Sequence, residues 1–167
     1  LVTLRTLADL YFIQLADYKS AIKTYNTLLS LPHSKEDTYL FQLNIAKSYF
    51  YMNNFFQADI ELEKLINQNA DSGQMFEPLL LKANIYLTSK ELDQAIVALK
   101  KLLLLFPEKA KKENIGTILA VTYEEKKDFA NAIAVLESMK GYYSNRVFLE
   151  RRIKALRERQ LLQPGAK

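Results

Sequence analysis

Cysteine and tryptophan are absent from the 167 residues, and histidine occurs once, at His33. Without cysteine there can be no disulfide, no thiol nucleophile and no cysteine-held zinc. The single histidine, beside Pro32, reads as a solvated loop residue. It leaves the serines without a plausible base, so a hydrolase triad is not expected. Glycine and proline number only four each, which leaves few turns and favours long helices. No glycine-rich phosphate loop exists, and Gly116 reads as a mid-helix packing point. Apolar runs are short as well. Even a run such as Leu102 to Phe106 falls far below the roughly 18 residues of a membrane span.

What is present is a period. Alanines stand at 21, 58, 95 and 132, a constant step of 37 residues. Phe12, Tyr49, Tyr86 and Tyr123 keep that step, and so do Tyr18, Phe55, Leu92 and Phe129. Between each aromatic and the next bulky residue lies a short polar turn, such as Asn53-Asn54. A fixed period of this length predicts a repeat array rather than one core. Apolar spacing predicts helices over about 1–15, 18–30, 36–52, 55–68, 74–88, 92–105, 109–126, 129–140 and 145–162. Residues 69–73 read as the clearest loop, Phe106-Pro107 as a stop, Gly141 as a helix end and 163–167 as a disordered tail.

The net charge of +4 resides in one place. Between Arg146 and Arg159 stand six basic residues and two acidic ones, and the other 17 basic and 17 acidic residues cancel. The basic character thus belongs to the last helix. Glu124-Glu125 and Glu61/Glu63 are close in sequence, but near neighbours on a helix point apart, so a paired acid/base role is not expected.

These residues resemble the tetratricopeptide repeat, a helix–turn–helix unit that stacks into a right-handed superhelix. The resemblance rests on small crossing residues (Ala46, Ala83, Ala120), the periodic aromatics, the alanines, and a large apolar residue one turn beyond each (Tyr25, Leu62, Leu99, Leu136). Pro107 stands at the family's repeat-ending proline. The departures are the missing tryptophan, Asp9 where a small crossing residue belongs, and a step of 37 instead of 34. The three extra residues are expected around the loop between repeats. The longer spacing is similar to that of tetratricopeptide lipoproteins and assembly factors of bacterial envelopes.

The resemblance implies an all-α fold: a right-handed superhelical α-solenoid of four helix pairs plus a C-terminal capping helix. Expected units are 1–34, 35–71, 72–108 and 109–144, then the cap at 145–162. The first residue is Leu, and no charged-then-apolar leader is visible, which reads as a processed or trimmed piece of something longer; the helical start favours further repeats before it, a point the sequence leaves open. Cytoplasm and bacterial periplasm or envelope both remain open.

In such repeats the first helix of each pair lines a concave groove. Helical phase then gives Leu10, Ile13 and Gln14; Leu43, Asn44, Lys47, Phe50 and Tyr51; Leu80, Asn84, Leu87 and Thr88; and Thr117, Val121, Glu124 and Glu125. This mixture of apolar and polar side chains suits an extended peptide or an amphipathic helix. Asn44, Lys47 and Asn84 resemble part of a co-chaperone clamp for a C-terminal carboxylate, whose remaining cations are missing. A second surface is expected on the last helix at Arg151, Arg152, Lys154, Arg157 and Arg159, either as a solubilising cap or as a dock for an acidic partner. The expected function is a non-enzymatic scaffold that binds a protein segment, with an envelope or secretion assembly as one setting. No cofactor, metal or small-molecule substrate is expected, and nucleic acid is disfavoured. The alternative is a structural, self-associating repeat array.

Overall fold

A computed structural model describes residues 2–68 and 73–164 of the chain. Every regular element in the described residues is helical. The chain divides into two units, Leu1–Ile85 and Tyr86–Lys167. Residues 69–72 of the expected loop at 69–73 and residues 165–167 of the expected tail at 163–167 lie outside the described residues; Gly73 opens a 3-10 turn, and Gln163 is not a loose tail residue, because its Nε2 donates to the Lys127 carbonyl at 2.8 Å.

The first unit holds α1 (Val2–Asp9), a π-helical turn (Leu10–Gln14), α2 (Tyr18–Leu29), α3 (Lys35–Tyr51), α4 (Phe55–Gln68), a 3-10 turn (Gly73–Met75) and most of α5 (Phe76–Thr88). The second holds the end of α5, then α6 (Leu92–Leu105), α7 (Pro107–Lys112), α8 (Ile115–Glu125), α9 (Phe129–Met139) and α10 (Arg146–Leu161). Consecutive helices pack in pairs, as the period predicts.

The period has a backbone cause. Ala16, Asn53, Lys90 and Lys127, again 37 residues apart, all have positive φ, between 49° and 62°. A left-handed residue after a helix turns the chain and lets the next N–H reach back to a carbonyl of the last turn. Asn54, Glu91 and Asp128 donate in this way to the carbonyls of Tyr49, Tyr86 and Tyr123, at 2.8–2.9 Å. The same residues start the next helix. Asn54 and Asp128 accept from the backbone N–H three residues on, as Asp17 does from Ser20, whereas Glu91 makes no such side-chain cap.

Behind each turn the small residues do what their size permits. Ala21, Ala58, Ala95 and Ala132 are fully buried, as are Tyr25, Leu62 and Leu99 one turn later. Ala46 on α3, Ala83 on α5 and Ala120 on α8 are buried too. A methyl side chain lets a neighbouring helix approach closely without leaving a cavity.

Two helices differ from expectation. The first is not one α-helix to residue 15, because α1 gives way to a π-helical turn closed by Leu15 N–H to Leu10 O at 3.1 Å. The extra residue moves the acceptor of the Asp17 N–H from Phe12 to Tyr11. The helix expected over 109–126 is two, because Asn114 takes a left-handed conformation (φ 55°) between α7 and α8. Asparagine tolerates that conformation better than most residues. Pro107 follows the end of α6 and opens α7, where its fixed φ suits a first helical position. Gly116 is therefore near the start of α8, not mid-helix, yet it is a close-packing point: a Cβ there would lie 3.0 Å from Met139 Sδ. Gly141 follows α9 without adopting the left-handed conformation.

Candidate partner-binding surfaces

In the first unit, the expected groove residues fall into two groups. Leu43 is buried in the core and is no surface residue: its side of α3 packs with Tyr39, Ala46 and Leu62. Asn44 is half-buried and turned inward, where its Nδ2 donates to Tyr25 Oη at 3.0 Å. That phenol donates in turn to Asp9 Oδ1 at 2.7 Å. Asp9, the departure at the first helix crossing, is thus accommodated by a hydroxyl that reaches it. Burial, reinforced by the bond to Asp9, pushes the Tyr25 phenol well above its ordinary pKa.

Other residues face water. Ile13, in the π-helical turn, is 72% exposed, and Gln14 is exposed beside it. With Thr6, Asp9 and Leu10 these two line a cleft of about 230 Å³. Tyr51 is 53% exposed, and its ring stacks on Tyr18 at 5.3 Å and lies 6.1 Å from Phe12. Phe50 is half-buried between Tyr51 and Phe55. Lys47 is half-buried, with its ammonium 4.0 Å from the Glu77 carboxylate. Leu80 and Asn84 on α5 are half-buried. His33 stands in the link before α3 and is partly exposed; its Nδ1 bonds to the Leu31 carbonyl, and its ring centroid is 6.1 Å from that of Phe41.

In the second unit, Leu87 and Thr117 are half-buried, and Thr88 and Val121 are exposed. Glu124 is clasped by two arginines of α10, Arg152 (2.7 Å) and Arg159. Glu125 pairs with Lys90 at 2.6 Å. Arg157 reaches Glu137 at 3.0 Å, and the Arg159 guanidinium also lies 4.9 Å from the centre of the Phe129 ring. Leu149, Ile153 and Leu156 are buried. Three of the five basic residues expected as a second surface therefore fasten α10 to its own unit. Of those five, only Arg151 and Lys154 are exposed without a partner among the described residues. Sequence reasoning missed this clasp. The signal was Glu124 and Glu137, two acids on the helices next to the arginine-rich one.

Stacked helical hairpins with alanine crossings and periodic left-handed turns define a repeat protein. Two family models, each described as tetratricopeptide repeat, match the chain at residues 41–72 and 76–109, over most of α3–α4 and all of α5–α6. The hairpins matched at those residues are tetratricopeptide repeats. No curated protein matches it. Repeats of this family serve in general as protein–protein interaction scaffolds. No helix among the described residues is long and apolar enough to cross a membrane.

Proposed function

We propose that the protein is a non-catalytic scaffold that holds a segment of a partner protein on the first-helix face of the first unit. The observation that carries this is the exposed aromatic ledge. Tyr51 leaves more than half of its surface in water although it stacks on Tyr18. Ile13 is exposed beside a cleft that Asp9 also lines. A rigid ring and a branched aliphatic side chain, already ordered, form the kind of anchor that dominates protein interfaces. Because Asn44 bonds to Tyr25 and Lys47 lies near Glu77, a carboxylate clamp is not part of the reading. We take the four hairpins as units 1–34, 35–71, 72–108 and 109–144, closed by the cap at 145–162. The 37-residue period makes a bacterial envelope or secretion assembly the first setting to examine.

The test is quantitative capture from native extract by wild type beside an Ile13→Lys/Tyr51→Ser variant, both checked by circular dichroism. A protein held by wild type and lost by the variant is expected, and its bound segment should transfer as a synthetic peptide. Equal capture by both forms would overturn the reading.

A further inference from the structure

The four second helices of the hairpins share one packing task, so their outer faces can be compared at the 37-residue step. Where α6 has Leu104, α4 has Asn67, and the same step falls on Ser30 and Gly141 just past the ends of α2 and α9. Where it has Lys100, the equivalent residues are Asn26, Glu63 and Glu137. The fold therefore requires neither a leucine nor a lysine there. Leu104 is nonetheless 79% exposed, Val97 one heptad earlier 67%, and Leu105 50%. Lys100 is exposed, with its ammonium 5.6 Å from the centre of the Tyr123 ring. Lys101 is exposed and without a partner among the described residues. The short α7, which begins directly after Phe106, adds an exposed Lys112.

We propose that this outer face of α6 docks on an anionic phospholipid surface. The pattern fits a bilayer better than a helix of another protein. A helical partner needs an unbroken apolar seam, and here Lys100 and Lys101 interrupt Val97 and Leu104 where the seam would continue. Pairing would strip water from both ammonium groups. At a lipid interface the leucines enter between headgroups, while lysine stems lie along the apolar layer and their charges meet phosphate. A headgroup layer also needs no groove to receive the side chains. Attachment of this kind is peripheral and sensitive to lipid charge.

Two variants borrow the sister residues, Leu104→Asn and Lys100→Glu, which their equivalents show the fold accepts. In co-sedimentation with vesicles of roughly seven parts phosphatidylcholine to three parts phosphatidylglycerol, wild type should bind and pure phosphatidylcholine should not. Each variant should bind at least about tenfold less, and added salt should weaken wild type. Because the chain has no tryptophan, Leu104→Trp gives a single reporter. Its emission should shift to the blue on anionic vesicles alone. An unshifted emission, no sedimentation of wild type, or variants that bind as wild type would overturn the proposal. So would concentration-dependent mass in light scattering that Leu104→Asn abolishes while vesicle binding is absent, which would assign the face to a second copy of the chain.

Discussion

The Tyr25 hydroxyl donates to the Asp9 carboxylate at 2.7 Å and accepts from the Asn44 amide at 3.0 Å. One phenol thus links the first helix, its partner and the first helix of the next hairpin. Removing the hydroxyl leaves two part-buried polar groups without it. Tyr25→Phe is expected to cost about 1–3 kcal/mol in urea denaturation. The Asp9→Ala/Tyr25→Phe double variant should cost less than the sum of the singles, since both cut the same bond. Strict additivity would show that the bond contributes nothing.

The same burial predicts alkaline behaviour. Tyr25 sits well above its ordinary value, and Tyr39 is pushed up to about 12 by burial and by the nearby Glu77 charge. Folded values above the unfolded one near 10 favour the neutral phenol in the native state. Their stabilisation is therefore complete below about pH 10 and declines as pH rises from there toward 12 and beyond. Tyrosinate absorbance followed with pH should leave these two of the ten tyrosines silent until circular dichroism reports unfolding. Ionisation of all ten at ordinary midpoints in a native fold would contradict this.

Lys127 has φ of 61°, a conformation that costs a residue with a Cβ roughly 1–2 kcal/mol. Lys127→Gly should stabilise the protein by about 0.5–1 kcal/mol after the added freedom of the unfolded chain is subtracted. A glycine inside α6, at Lys101, should instead destabilise by about 1 kcal/mol. Thermal melts that rank the two variants the other way would refute the turn assignment.

Gly116→Val should destabilise by about 1–3 kcal/mol, because even the first added carbon meets Met139 Sδ at 3.0 Å and Tyr142 Oη at 3.1 Å. A melting temperature at or above wild type would mean that this contact has room.

Glu124→Gln should loosen α10 more than it lowers global stability. The pairs it breaks are partly exposed and worth roughly 0.2–1 kcal/mol. Hydrogen exchange should quicken in α10 and not in α2 or α3, and uniform exchange throughout would argue against the clasp.

Most of the helix pairs were legible in the sequence, since the alanine step and the polar turns carry them. The boundaries Phe55–Gln68 and Leu92–Leu105 could be read directly. The breaks could not. The π-helical turn at Leu10–Gln14 contains no proline or glycine, and Asn114 is one asparagine in a run that otherwise reads as helix. Surface residues were harder still. Helical phase placed Leu43 and Asn44 on a groove, but phase does not register that one is covered by its neighbours and the other is taken by Tyr25. Ile13 and Tyr51 are exposed as phase suggested. Glu124 meets arginines of its own chain, which no spacing rule reveals.

The turns closed by Ala16, Asn53, Lys90 and Lys127 contain no glycine, and each is fastened by hydrogen bonds on both sides. Such a joint has little slack. When the first unit is bent or pulled, each of these turns should carry its two helices together, and the link from α2 to α3 at residues 30–34 should give before the turns do. A ligand that spans α1 and α3 would brace that link, so binding there would register as a loss of elasticity before any change of shape.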